Sequence, residues 1–88
     1  MPRVRVEFFG LARSRSGVET VDLEAATLAD VIILLTGRFP ALAETCFSDG
    51  TISSHWLVSL NGRDFTRDNS TRLADGDVLL LLSADAGG

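Results

Sequence analysis

The stretch Val78-Leu79-Leu80-Leu81-Leu82 decides the fold class, because it is apolar at every position. A run of this kind is typical of a strand that has a neighbour on both edges and is covered on at least one face. The residues before it, Ala74-Asp75-Gly76-Asp77, predict a tight turn that leads directly into the strand. We therefore expect a sheet with this strand in its interior.

Earlier segments alternate apolar and polar residues with a period of two, which predicts strands with one buried face. The chain between residues 10 and 17 is rich in Ser and Arg, and it is expected to join the first two strands as a hairpin with room for one helical turn. Asn61-Gly62 is a strong signal for a second hairpin. The predicted strands cover residues 4–8, 18–23, 55–60, 63–65 and 78–82.

One helix is predicted from Thr27 onward. Thr27 and Asp30 have the spacing of a capping box, in which the hydroxyl accepts a backbone N–H and the acidic residue favours the positive end of the helix. Gly37 and Pro40 predict its end, which gives a helix of about ten residues. Residues 41–54 carry weaker signals, a helical turn followed by a loop. The apolar stripe of the helix is Leu28, Val31, Ile32, Leu35 and Phe39.

This order of elements predicts an α+β fold, the ubiquitin-like β-grasp, in which one main helix packs on one face of a mixed sheet of four to five strands. A chain of 88 residues with 45% hydrophobic residues can build one core but not two, which excludes a two-domain enzyme. We expect a β-grasp domain over residues 1–82. Residues 83–88 lack periodicity and bulk, so we expect them to form a flexible tail.

The composition narrows the partners and the kinds of site. The formal net charge is −4 and the eight basic residues, all arginine, are scattered, so we expect no nucleic-acid binding. No apolar run approaches the length of a membrane span, and residues 1–7 do not form an export signal, so we expect a cytoplasmic protein without a membrane segment. One cysteine and one histidine, Cys46 and His55, are too few for a disulfide or a zinc site. We expect no metal, no cofactor and no catalytic constellation.

The pair Gly87-Gly88 has a chemical use that the rest of the sequence does not offer. Two residues without Cβ atoms can enter a channel too narrow for side chains, and they leave the carbonyl of Gly88 open to attack from either face. The carboxylate of Gly88 is inert by itself, so a partner would have to activate it, and adenylation would do so. Residues 83–88, extended at about 3.3 Å each, would reach roughly 20 Å from the domain. We expect Gly88, with Gly87 beside it, to be the reactive site.

The chain resembles the MoaD/ThiS group of ubiquitin-like sulfur-carrier proteins along its whole length. The resemblance is carried by residues 4–13, by Leu60-Asn61-Gly62, by residues 73–78 and by Ala86-Gly87-Gly88. It implies that an E1-like adenylating enzyme activates Gly88, which becomes a thiocarboxylate and donates sulfur. The length is most like that of the small subunit of molybdopterin synthase. The implied acceptor is therefore the large subunit of that enzyme, in molybdenum cofactor biosynthesis.

The sequence also leaves other functions open, and two of them use the same chemistry at Gly88. Related carriers serve thiamine, cysteine, tRNA thiolation or tungsten cofactor pathways, and Ser83-Ala84-Asp85 replaces the proline-containing approach to the tail that is usual in small subunits. A ubiquitin-like protein modifier would form an isopeptide bond through Gly88. A third alternative is an interaction module with an inert tail. Deleting Gly87 and Gly88 would abolish function in the carrier and in the modifier, and would leave an interaction module unaffected.

Strand parity predicts a docking surface. If the even-numbered residues of the strand 78–82 face the helix, Leu79 and Leu81 face the opposite side of the sheet, where one helix leaves no cover. We expect these two leucines, with Phe9, to form an exposed apolar patch that docks the activating enzyme and the sulfur acceptor. The alternative is that residues 41–54 fold over this face.

Overall fold

The structure is a computed structural model that describes residues 1–83. Gly87, Gly88 and all of the expected tail except Ser83 lie outside the described residues.

Over this range the chain forms strands and helices in an α+β order. The strands are β1 (Arg3–Phe8), β2 (Thr20–Glu24), β3 (Phe47–Ser48), β4 (Thr51–Ile52), β5 (Trp56–Leu60), β6 (Asp64–Thr66) and β7 (Val78–Ser83). The helices are α1 (Gly10–Ser16), α2 (Leu28–Arg38) and α3 (Pro40–Cys46). Every strand predicted from the sequence is present, with its ends shifted by at most two residues.

One mixed sheet contains the strands in the order β2-β1-β7-β5-β6. β7 lies in its middle, parallel to β1 and antiparallel to β5. β1 and β2 form the predicted antiparallel hairpin, with Arg5 opposite Asp22. The interior position of the all-apolar strand is therefore confirmed, and the fold is the ubiquitin-like β-grasp.

The capping box that starts α2 is confirmed. The Thr27 hydroxyl oxygen accepts a hydrogen bond from the Asp30 backbone N–H at 3.3 Å, and Asp30 Oδ2 accepts one from the Thr27 backbone N–H at 3.2 Å. The helix ends one residue beyond Gly37, and Phe39 is its C-cap. Pro40 begins α3, a position at which its missing N–H costs no helical hydrogen bond.

Two short helices and a small hairpin complete the fold. α1 is longer than the single helical turn expected, and it ends at Gly17, whose φ of 79° lies in the left-handed region that favours glycine. α3 covers the predicted helical turn, but β3 and β4 form a hairpin where a loop was expected. Strands of two residues are too short to show a period in the sequence. None of the helices within residues 1–83 is long and apolar enough to cross a bilayer.

The predicted exposure of Leu79 and Leu81 is wrong. Leu79 is 1% exposed and Leu81 is 2% exposed, so both belong to the core. They lie opposite Val6 and Phe8 in the parallel register of β7 and β1, and those residues are buried. Because every position of the run 78–82 is apolar, the run does not reveal its own parity. The register with β1 sets it.

The segment that follows α2 shares in covering these leucines. Leu42 and Cys46 of α3 and Phe47 and Ile52 of the β3–β4 hairpin belong to the same core cluster as Leu79 and Leu81. The alternative, that residues 41–54 fold over the face opposite the helix, is therefore wrong as well, because Leu79 and Leu81 also share this cluster with Leu28 and Ile32 of α2, so the segment lies on the helix side of the sheet. The opposite face of the sheet, which we call the open face, therefore carries Val78, Leu80 and Leu82, all of which are half-buried.

Candidate functional site

The carboxyl end of β7 is the point from which the Gly-Gly segment continues. β7 ends at Ser83, and residues 84–88 follow it in the sequence. Ser83 lies opposite Trp56, the first residue of β5. Because β7 is parallel to β1, both strands end at the same edge of the sheet. The junction of β1 and α1 therefore borders the end of β7.

Two exposed apolar side chains stand at this junction. Phe9 is 58% exposed and Leu11 is 48% exposed. With Trp56, Leu82 and Ser83 they line a cavity of about 100 Å³. We call Phe9 and Leu11 the exit rim, because they lie beside the last described residue before the Gly-Gly segment.

The open face of β5, β6 and β7 is apolar. Leu57 lies opposite Leu82, and Ser59 lies opposite both Leu80 and Phe65. Residues that lie opposite one another share a face of the sheet. Phe65 is 66% exposed and the three leucines are half-buried. We call Leu57, Phe65, Leu80 and Leu82 the apolar patch, and Leu82 joins it to the exit rim.

The part of the open face that β1 and β2 form is charged instead. Arg5 Nε lies 3.1 Å from Asp22 Oδ1, and Arg3 Nη2 lies 3.9 Å from Asp22 Oδ2. These groups are exposed, so the pairs add little to stability. The open face is therefore apolar across β5, β6 and β7, and charged across β1 and β2.

A polar network fixes the start of β7. Asn61 Nδ2 donates to Asp77 Oδ1 at 2.9 Å, and Asn61 Oδ1 accepts from the Val78 backbone N–H at 2.8 Å. Asp77 Oδ2 accepts from the Ala74 backbone N–H at 2.8 Å. Asn61 and Gly62 have φ values of 56° and 68°, as the hairpin turn requires. The two internal motifs of the resemblance therefore hold β7 in register.

The one thiol of the chain is held in an unreactive state. Cys46 is buried in α3, and desolvation raises the pKa of its thiol to about 12. A thiol with such a pKa is not a nucleophile near neutral pH. His55 is exposed, one residue before β5. Among residues 1–83, no three potential metal-ligating side chains form a cluster.

What the described residues offer to a partner is therefore a surface, which consists of the exit rim and the apolar patch beside the end of β7.

A match to a family model shows the family to which the chain belongs. The model of the ThiS family matches residues 6–88. The chain belongs to the ThiS family. The resemblance to the MoaD/ThiS group predicted from the sequence is therefore confirmed for this ThiS-family protein.

Solved structures similar to the ThiS-family chain include small archaeal modifier proteins and a chain of a molybdopterin-converting factor complex. SAMP1 from Haloferax volcanii has 29% sequence identity and a TM-score of 0.83, covering 98% of this chain and 99% of that chain. The small archaeal modifier protein 1 from Methanosarcina acetivorans has 25% identity and a TM-score of 0.84, covering 100% and 98%. A chain of the protein–protein complex of subunits 1 and 2 of molybdopterin-converting factor from Helicobacter pylori 26695 has 26% identity and a TM-score of 0.66, covering 92% of each. No curated protein matches the chain.

The structure brings together only part of the predicted site. Phe9 lies on the exit rim, whereas Leu79 and Leu81 lie in the core. The Gly-Gly pair lies outside the described residues. The sequence analysis missed the apolar patch, whose most exposed member is Phe65. The sequence signals only the short strand over residues 63–65, whereas the face on which Phe65 lies is set by its register with Ser59 of β5.

Proposed function

We propose that the chain is a sulfur carrier protein whose reactive group is the carboxylate of Gly88. In the first step a carboxylate oxygen attacks the α-phosphorus of ATP on an E1-like enzyme, and pyrophosphate leaves. In the second step hydrosulfide attacks the Gly88 carbonyl carbon, AMP leaves and the S–H proton is released, so a thiocarboxylate forms. The thiocarboxylate then donates its sulfur to an acceptor, and the domain acts as a protein cosubstrate.

The observation that carries this proposal is the ThiS-family match, which runs through Gly87 and Gly88. Two glycines suit the chemistry, because a chain without side chains fits a narrow channel and exposes its carbonyl. Five residues follow Ser83, and at about 3.3 Å each they span roughly 17 Å when extended. A partner that acts on Gly88 would therefore come within that distance of Ser83, where it would meet the exit rim.

We include the exit rim and the apolar patch in the proposal as the docking surface for that partner. Exposed apolar clusters mark interaction sites, and aromatic residues are enriched at the centres of interfaces. Phe9 and Phe65, 58% and 66% exposed, supply two aromatic rings on the two parts of this surface. Phe9, which the sequence analysis predicted, is part of this docking surface. Leu80 and Leu82 of β7 take the place of Leu79 and Leu81, which are buried.

For the acceptor we propose the large subunit of a molybdopterin synthase, with the sulfur destined for the molybdenum cofactor. The similarity to the Helicobacter pylori complex of subunits 1 and 2 of molybdopterin-converting factor supports this choice. Carriers of the thiamine, cysteine, tRNA thiolation and tungsten cofactor pathways would share the activation steps. They differ in the molecule that removes the sulfur from Gly88.

A second candidate function is a ubiquitin-like modifier. It is favoured by the similarity to SAMP1 from Haloferax volcanii, which spans nearly the whole of both chains at 29% identity. Activation of Gly88 would be the same. In the following step a lysine amine of a target protein would attack the Gly88 carbonyl carbon in place of sulfur.

The fate of activated Gly88 distinguishes the two functions. The protein is incubated with the E1-like enzyme of its organism, ATP and sulfide, and then with the large subunit and the pterin precursor. A sulfur carrier loses its thiocarboxylate only when the acceptor is complete. A modifier becomes attached to lysines of target proteins in a cell extract, and after trypsin digestion those lysines carry residues 73–88, because Arg72 is the last basic residue. If neither product forms, the chain is an interaction module and the proposal is wrong.

The docking surface is tested with a matched pair of substitutions. Phe65 and Ile33 are equally exposed, at 66% and 67%, but Ile33 lies on α2, on the other side of the sheet. Phe65→Ser is expected to slow adenylation of Gly88 at sub-saturating protein, measured as ATP–pyrophosphate exchange. Ile33→Ser is expected to leave the rate unchanged. Equal rates for the two variants would contradict the proposed docking surface.

A further inference from the structure

All eight basic side chains of the protein are arginine, and none is lysine. A guanidinium group stays charged at any pH at which proteins function, whereas the lysine amine is the group that accepts acyl and ubiquitin-type modifications. No side chain of this protein therefore offers an amine that could attack an activated carboxyl group.

The fold does not require arginine at three of these positions. Arg15, Arg63 and Arg72 are exposed, and within residues 1–83 their guanidinium groups take part in no hydrogen bond or ion pair. Arg67 differs, because its Nε donates to the Trp56 carbonyl at 2.7 Å. A lysine side chain would be accommodated at the three exposed positions, where neither bidentate nor stacked contacts are made.

We infer that the protein is a donor whose own side chains do not accept its activated glycine, so that copies are not linked to one another through their side chains. The inference rests on the proposed activation of Gly88. In the excluded reaction, a lysine amine of a second copy would attack the Gly88 carbonyl carbon. A C–N bond would form, the C–O bond to AMP would break, and the amine would release a proton. A sulfur nucleophile or a lysine amine on a different protein can still attack the activated glycine.

The sheet also keeps the first residues out of reach of the same molecule's glycine. Arg5 lies opposite Val78 and Phe8 opposite Leu81, so Ser83 is level with residue 10 in the parallel register. Met1 lies nine residues before residue 10, so at about 3.3 Å per residue it is about 30 Å from the level of Ser83 along the strand direction. Residues 84–88 span roughly 17 Å when extended. An amino group at Met1 is therefore not an acceptor within one copy.

The test restores amines at the three exposed positions. One variant combines Arg15→Lys, Arg63→Lys and Arg72→Lys, and its amine-free control carries glutamine at the same three positions. Each variant and the parent protein is incubated with the E1-like enzyme and ATP, without a sulfur donor. Covalent dimers are measured on denaturing gels, and lysines that carry the C-terminal tryptic peptide, residues 73–88, are mapped by mass spectrometry. A parallel sample of each contains hydroxylamine as a small amine probe, and urea unfolding confirms that all three proteins fold.

The inference predicts self-conjugates for the lysine variant, and none for the parent or the glutamine variant. If the lysine variant stays monomeric while hydroxylamine captures Gly88 of the parent, the missing amines are not what prevents self-modification, and the inference is overturned. If hydroxylamine captures Gly88 in none of the three proteins, Gly88 is not activated. In that case the proposed function fails first.

Discussion

Leu81→Ala and Leu80→Ala form a matched pair that tests which face of β7 is buried. The two substitutions remove the same atoms from neighbouring positions of one strand. Leu81 is 2% exposed and lies opposite Phe8, whereas Leu80 is half-buried and lies opposite Ser59 on the open face. A difference in stability between the variants therefore reports the side of the sheet, and not the type of residue.

The expected magnitudes follow from burial. Leucine to alanine removes three carbons, which at about 0.8 kcal/mol each lowers the free energy of unfolding by about 2.4 kcal/mol at Leu81. The cavity left behind adds to this, so we expect about 3 kcal/mol, within the range of about 2–5 kcal/mol for buried leucines. For half-buried Leu80 we expect a loss of about 1 kcal/mol or less. In a domain of this size, a loss of about 3 kcal/mol lowers Tm by about 12–24 °C.

Urea unfolding measures both losses. Trp56 is the only tryptophan and is 6% exposed, so its fluorescence reports loss of the core. The m-values of parent and variants should agree, which shows that the same surface becomes exposed. If Leu80→Ala costs as much as Leu81→Ala, the assignment of the open face is refuted, and with it the apolar patch as a docking surface.

Three further predictions concern the parts of the fold that support β7 and the core. Asn61→Asp places a carboxylate where the amide nitrogen lies 2.9 Å from Asp77 Oδ1, so we expect a loss of about 1–3 kcal/mol in urea unfolding at pH 7 that shrinks at pH 4; a pH-independent loss would contradict this. Thr27→Ala removes the hydroxyl that caps α2 and should cost about 1 kcal/mol, whereas an unchanged urea midpoint would show that the cap is dispensable. The Cys46 thiol has a pKa of about 12 in the folded state against an ordinary value of 9.0, and the chain has no lysine or tyrosine. Only the unfolded state releases this proton as the pH rises from 9, so stability should fall by up to about 1.4 kcal/mol per pH unit; a slope that persists in Cys46→Ala would have another origin.

Much of the fold could be predicted because its local signals agree. The alternation of residues 4–8 places Val4, Val6 and Phe8 on one face, and all three are buried. The Thr27–Asp30 capping box and the Asn61-Gly62 turn depend on side chains only a few residues apart, so the sequence shows them directly. These features are local, and tertiary structure did not override them.

The part that could not be predicted depends on contacts between distant segments. Residues 78–82 are apolar at every position, so only the register with β1 decides which leucines are buried. The β3–β4 hairpin has strands of two residues, and its position over the core depends on α3. The exposure of Phe65 follows from pairing with β5, which a sequence of three strand residues does not show. Of the three residues predicted for an exposed patch, Phe9 is exposed, whereas Leu79 and Leu81 lie in the core.

The central claim, that Gly88 carries sulfur, is tested most directly by the intact mass of the protein after incubation with the E1-like enzyme, ATP and sulfide. A variant lacking Gly88 is treated in parallel. We expect a mass gain equal to the replacement of one oxygen by sulfur, located in the peptide that contains Gly87 and Gly88, in the parent only. An unchanged parent, or an equal gain in the variant without Gly88, would contradict it.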